Sequence, residues 1–259
     1  MSILDWVAKW ADYTPQKIAI ADLENGEEFS YRQLHLKANE IVEFFKNDFQ
    51  EGDRIAVLME HSIHLIALFS ACQRLGLILV PLNYKLSAPE ISTQIQDCKP
   101  SIIIFSEFFE SSITIIKDHF TSISISDFNE KVQQFSGKEC LLNREINEEL
   151  PVFLFYTSGT TAEPKGVLYT NKMLFWNSLN TTMQLGISDE DATLNILPPY
   201  HTSGWNVFVT PLLHNGGKIL LLSKFNTEKI FYFLQREKIT LLMALPTILQ
   251  MMMKCEEFA

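Results

Sequence analysis

Along this chain, short apolar runs keep alternating with stretches in which apolar side chains return every third or fourth residue. The first pattern suits strands buried on both faces and the second suits helices with one apolar stripe, so the alternation predicts stacked β-α units and an α/β fold. Lys17 to Leu23 and Phe29 are expected to pair across Asn25-Gly26, a dipeptide that tolerates the positive φ of a tight hairpin. Ser30 stands three residues before Gln33, a capping-box spacing, ahead of a helix with Leu34, Ala38, Ile41, Val42 and Phe45 on one face that ends near Gly52. Arg54 to Met59 reads as a strand, Ser62 to Leu75 as a helix closed by Gly76, and Leu77 to Val80 as the next strand. Ser87 and Glu90 repeat the capping-box spacing, and Ile102 to Phe105 adds a strand. From Ser126 to Leu150 the sequence turns polar, which predicts a connector and a division near residue 150, with lobe one over 1–149 and lobe two over 150–259. Beyond it, Val152 to Tyr156, Thr193 to Leu197, Lys218 to Leu222 and Ile239 to Met243 read as strands, and Leu242 to Phe258 as helical from Pro246 onward.

Composition narrows the function classes. With 21 Lys and Arg against 31 Asp and Glu, the net charge of -10 opposes binding to a nucleic-acid backbone, although a local basic group could still hold one small anionic ligand. Cys72, Cys98, Cys140 and Cys255 are widely spaced, without CxxC pairs, which fits a reducing cytoplasm. Asp5 interrupts the stretch where an export signal needs an apolar core, and Ile239 to Met253 is too short and too polar for a membrane span.

The run YTSGTTAEPKGV, positions 156 to 167, directly follows an expected strand. Thr157, Ser158, Thr160 and Thr161 place hydroxyls around Gly159, and Lys165 adds a mobile positive charge. Hydroxyls, approachable backbone amides and an ammonium together suit phosphate oxygens. A surface turn rich in Ser and Thr is the competing account of such a loop. A Walker A loop is excluded, because Pro164 and Gly166 flank Lys165 where that pattern needs Gly before its Lys and Ser or Thr after.

This run resembles the phosphate loop of the AMP-forming adenylating enzymes, the superfamily of acyl-CoA synthetases, peptide-synthetase adenylation domains and luciferases. PLNYKLSAPE at 81–90, LPPYHTSGWNVFVTPLLHNGGKILLL at 197–222 and LPTILQMM at 245–252 also look like acyl-CoA synthetase segments. The resemblance implies that ATP activates a carboxylic acid, taken as a fatty acid or an aryl acid, to an acyl-adenylate with release of pyrophosphate, and that CoA then takes the acyl group. Mg²⁺ is expected with the ATP. Thr157, Ser158, Gly159, Thr160, Thr161 and Lys165 would hold the β- and γ-phosphates, with Thr160 also a metal ligand. His201 stands where acyl-CoA synthetases carry a histidine or another aromatic residue beside the acyl carboxylate; on its own it reads more simply as part of a turn after Pro198-Pro199. Trp205, Val207 and Phe208 read as core rather than site, His61 and His64 as surface residues at a helix start without a metal pattern, and Glu27-Glu28 and Glu148-Glu149 as solvated charge.

The implied fold is an incomplete N-terminal adenylation domain over 1–259, with two lobes of β-sheet flanked by helices, an ATP cleft at the lobe interface and the C-terminal domain absent. The sequence departs from the family at Ala162, where many relatives have Gly, and at Tyr169-Thr170-Asn171, where a Thr-His pair is frequent. The family's downstream adenine, ribose and catalytic-Lys segments do not occur within the 259 residues. No catalytic residue is therefore assigned, and the full reaction is not expected of this chain alone. Three readings stay open: part of a CoA ligase, which a complementary C-terminal polypeptide could complete; a non-catalytic ATP- or acyl-binding module; and an unrelated α/β domain.

Overall fold

The computed structural model describes residues 4–114, 120–138, 145–157, 164–255 and 258. Helix α1 (Trp6–Tyr13) starts where the Asp5 carboxylate accepts from the Ala8 amide. Strands β1 (Ile18–Asp22) and β2 (Glu27–Ser30) form the expected antiparallel hairpin, with Gly26 at φ +75°. The Asp22 carboxylate accepts from the Glu24 and Asn25 amides, and the Asn25 side chain from the Glu27 amide, so the turn satisfies its own donors. The Ser30–Gln33 capping box forms, and α2 (Tyr31–Phe45) buries the face read from the spacing, though it ends at Phe45 rather than near Gly52. Strand β3 (Arg54–Leu58) leads to α3 (Ile63–Leu75), capped by Ser62 and closed by Gly76 at φ +71°, and then to β4 (Ile78–Pro81). The Glu90 carboxylate accepts from the amide and hydroxyl of Ser87 at the start of α4 (Ala88–Cys98), which is followed by β5 (Ile102–Phe105).

The polar stretch read as a connector is partly helical. After α5 (Glu110–Thr114) and β6 (Ser122–Ser124), helix α6 (Ile125–Gln133) begins where the Ser124 hydroxyl accepts from the Asp127 amide. Only Phe128 and Val132 of α6 are buried, a sparse signal in a polar run. Their four-residue spacing suffices because Phe44 and Phe45 of α2 supply the surface against which Phe128 packs. Strands β7 (Pro151–Thr157) and β8 (Lys165–Thr170) precede α7 (Asn171–Leu185), β9 (Ala192–Asn195), α8 (Ser203–Asn206), α9 (Val209–Asn215), β10 (Lys218–Leu221), α10 (Thr227–Arg236) and α11 (Pro246–Met253). The run Ile239–Met243, expected as a strand, makes a single bridge from Leu241 to Thr193, too little pairing for a strand among the described residues.

Six strands in the order β6-β5-β3-β4-β7-β8 form one sheet, parallel except for β8, and four in the order β2-β1-β10-β9 form the other, parallel except for β2. Each sheet takes strands from both sides of residue 150, so the two sheets do not correspond to the chain halves 1–149 and 150–259. Parallel neighbours are joined by crossovers and lie far apart in sequence, so a change in local composition does not mark a sheet boundary.

Alternation along the strands builds the layers. In β3, Ile55 and Val57 join a core with α2, α3, α9 and the inner face of β1 and β10, whereas Ala56 and Leu58 join a second core with Ile91 and Ile95 of α4. On the far face of the smaller sheet, Leu194, Leu220 and Leu222 pack with Ile230 and Met252 of α10 and α11. Helices thus lie between the sheets and outside each, which is why the strands read as unbroken apolar runs. Cys72 and Cys98 are buried thiols. No helix among the described residues is long and apolar enough to cross a membrane.

Asn171 is 1% exposed and ties three segments together. Its side-chain oxygen accepts from Gln73 Nε2 at 3.0 Å, and its Nδ2 lies 3.1 Å from the Asn147 carbonyl and 3.2 Å from the Leu150 carbonyl. Asn171→Ala strands the buried Gln73 amide and removes both carbonyl contacts, so urea unfolding should show a loss of about 3 kcal/mol. A loss below about 0.5 kcal/mol would mean that water replaces these bonds freely.

Candidate functional site

Thr157 and Lys165, the described ends of the hydroxyl-rich run, lie at the connected end of an antiparallel hairpin. Val152 to Tyr156 of β7 are buried, Thr157 emerges exposed, and the return strand β8 is exposed from Lys165 to Leu168. Thr157 stands opposite Lys165 in the strand register, and the Thr157 hydroxyl donates to the Lys165 carbonyl at 3.5 Å. Lys165, expected in a loop, is therefore the first residue of a strand. The signal was the apolar pair Val167-Leu168 beyond it, muted because this edge strand faces solvent. A strand-fixed backbone thus carries an ammonium and a hydroxyl on facing positions, open to solvent, which fits a polyanionic ligand. Ser158, Gly159, Thr160 and Thr161, including Thr160 as the expected metal ligand, lie outside the described residues, as does Ala162. Among the described residues, no group of three or more His, Cys, Asp and Glu could hold a metal ion.

His201 belongs to a second cluster. In both sheets the parallel strands direct their carboxyl ends to one side, and the segments that leave β3, β4, β9 and β10 there converge on a cavity of about 310 Å³. Such crevices at strand carboxyl ends are where open α/β sheets bind ligands. Lys85 and Lys224 bring positive charge to its wall, Glu60 negative charge, and Tyr84 and Pro199 apolar surface. Next to it, the Tyr200 ring stands edge-on to Tyr84 at 4.9 Å and lies 4.7 Å from the His201 ring. Partial burial, and secondarily the charge of Lys85, hold the His201 pKa below its ordinary value, so at neutral pH the imidazole is a neutral donor and acceptor. Thr157 and Lys165 share no hydrogen bond or ring contact with His201 among the described residues. Tyr84, Lys85 and Lys224 were not singled out individually from sequence, although each lies three or four residues past the end of a buried strand.

The turn that bears His201 is tightly built. Trp205 Nε1 donates to the Pro199 carbonyl at 2.8 Å, and Asn195 Nδ2 to the Gly204 carbonyl at 3.3 Å. A side chain at Gly204 would come within 2.2 Å of the Pro198 carbonyl oxygen, so only glycine fits. Trp205 is fully buried against Phe69 and Phe153, as its core reading required.

His61, read as a surface residue, instead lies beneath this turn, 4% exposed and 5.1 Å from the Trp205 ring. Neither of its ring nitrogens has a hydrogen-bond partner among the described residues. Burial lowers its pKa to about 3, and the nearby Gly204 backbone offsets only part of that shift. The sequence could not show this, because the ring is covered by a segment some 140 positions away in the chain. His64 does sit at the helix start, 4.0 Å from Glu27. Glu148 and Glu149 are exposed beside Lys172, and Glu28 lies 3.7 Å from Lys218.

Comparison with known proteins bears on the chain's family and fold. The family model described as AMP-binding enzyme matches residues 7–259. An indoleacetate–CoA ligase of Aromatoleum aromaticum is 30% identical over 97% of this chain and 51% of its own length. A 2-succinylbenzoate–CoA ligase of Oceanobacillus iheyensis is 31% identical over 96% of this chain and 50% of its own. The chain thus spans about half the length of the curated relatives it matches. Among solved structures, the N-terminal domain of FACL13 from Mycobacterium tuberculosis superposes with a TM-score of 0.92 at 24% identity, over 99% of this chain and 66% of that one. ATP-bound MatB from Rhodopseudomonas palustris gives 0.86 at 26% identity, over 99% of this chain and 52% of that one.

Proposed function

The chain belongs to the AMP-binding enzyme family, and from that premise we propose that it carries the phosphate-binding part of an acid–thiol ligase. In this reaction a carboxylate attacks the α-phosphate of ATP, pyrophosphate leaves, and the acyl-adenylate passes its acyl group to CoA. The observation that supports the reading is the β7–β8 hairpin, which fixes Thr157 and Lys165 opposite each other at the two ends of the hydroxyl-rich run. Lys165 would neutralise phosphate charge, and Thr157 with Ser158, Gly159, Thr160 and Thr161 would donate to phosphate oxygens. Mg²⁺ would travel with the nucleotide phosphates, with Thr160 its proposed protein ligand. His201, next to the cleft that Lys85 lines, would stand beside the acyl carboxylate.

We take the acid to be a fatty or an aryl carboxylic acid. A fatty acid is the reading of the acyl-CoA synthetase segments, and the aryl class is supported by the relatives named for indoleacetate and 2-succinylbenzoate. A complementary polypeptide supplying the remaining length of those relatives is part of the same proposal, with a binding module without turnover as its alternative.

The test is acid-dependent exchange of pyrophosphate into ATP over a panel of fatty and aryl acids, by the chain alone and in its native assembly. Exchange in the assembly that depends on one acid class supports the ligase. Tight ATP binding with no exchange in either form points to the binding module.

A further inference from the structure

We infer that Tyr156 is a positioning residue, holding the Thr157–Lys165 end of the hairpin in register through the bond from its hydroxyl to Asp97; the inference rests on the phosphate-binding function proposed above. Tyr156 is the last buried residue of β7, 8% exposed, with its ring in the core beneath α4. Its hydroxyl donates to Asp97 Oδ2 at 2.6 Å, and the Gln94 carbonyl lies 3.1 Å away as a second acceptor. Burial first, and the Asp97 contact second, raise the phenol pKa, so the group remains a donor.

Packing alone does not account for this pair, because a phenylalanine ring would fill the same space. Asp97 also sits in the last turn of α4, where the helix dipole disfavours a carboxylate. The tyrosine donor compensates for that position, and the bond fastens the strand to the helix one residue before Thr157. Beyond Tyr156 the strand leaves the core, and its partner residues on β8 are exposed, so no buried side chain there secures the pairing of Thr157 with Lys165. A one-residue slip would turn both away from a common ligand.

The experiment is calorimetric titration of the full chain with Mg-ATP for the unsubstituted protein, Tyr156→Phe, Asp97→Ala, Asp97→Asn and the Tyr156→Phe/Asp97→Ala double variant, with a thermal melt of each. Tyr156→Phe and Asp97→Ala should each weaken ATP binding about 10-fold, the equivalent of one hydrogen bond to a charged group. The double variant should be no weaker than either single one, because both remove the same bond. Asp97→Asn, whose amide oxygen still accepts, should bind ATP nearly as the unsubstituted chain does. Lower melting temperatures with unchanged ATP affinity would make the pair merely structural and overturn the inference. If the unsubstituted chain binds no Mg-ATP, the phosphate-binding function fails and this inference with it. If it binds and Lys165→Ala abolishes binding while Tyr156→Phe does not affect it, only the positioning role fails.

Discussion

Lys165→Ala is expected to lower acid-dependent ATP–pyrophosphate exchange about 100-fold in the assembly that supports it, the cost of removing one preorganised donor from a developing anion. The expectation follows from the hairpin. Pairing with Thr157 fixes the backbone of Lys165, and its side chain is exposed, so the substitution removes charge without opening a cavity. Its melting temperature should therefore stay within a few degrees of the unsubstituted protein. Lys165→Arg restores the charge but offers a planar fork in place of a compact ammonium, so recovery should be partial. Undiminished exchange by Lys165→Ala, with the fold intact, would refute the assigned role.

The second large effect is acid lability. Burial depresses four histidines, His61 to about 3 and His35, His64 and His214 to about 4, against about 6.5 in an unfolded chain. Because the folded pKa values are lowered, the unfolded chain binds more protons throughout the interval between the two values. Stability is then complete above about pH 6.5 and falls as the pH drops from there toward 4. For His61, at 4% exposure, the slope approaches 1.4 kcal/mol per pH unit, or about 2 kcal/mol lost by pH 5. The other three steepen the decline. Below about pH 4 the Asp5 carboxylate adds to it, since the Arg74 contact overcomes its burial and holds its pKa below the ordinary carboxylate value. Urea unfolding at pH 7.5, 6 and 5 reads the slope directly. His61→Asn should flatten it by close to one proton, and equal stability at pH 7.5 and pH 5 would show that the rings admit water and protons in the folded state.

How much was legible in the sequence depended on how local the physics was. The Ser30–Gln33 box, the Gly76 stop and the Gly26 turn all formed where spacing placed them, because each is decided within about four residues. The α6 helix and the β8 strand were missed because each is polar or exposed along much of its length and takes its stability from neighbours, α2 in one case and β7 in the other. His61 was misread for a related reason, since two adjacent polar residues and a helix start look like surface until a distant Trp205 covers them.

The sequence by itself determined the α/β class, most of the strands and helices, and the residue types gathered at positions 157 to 165, a set of hydroxyls, glycine and lysine. The tertiary structure alone decided that both sheets mix strands from either side of residue 150, that Thr157 faces Lys165 across a hairpin, and that the Tyr200–His201 pair lies next to a crevice between strand ends lined by Tyr84 and Lys85. The division is physical. Caps and turns are settled by hydrogen bonds within a few residues, whereas parallel pairing and burial depend on crossovers that bring together segments more than a hundred residues apart.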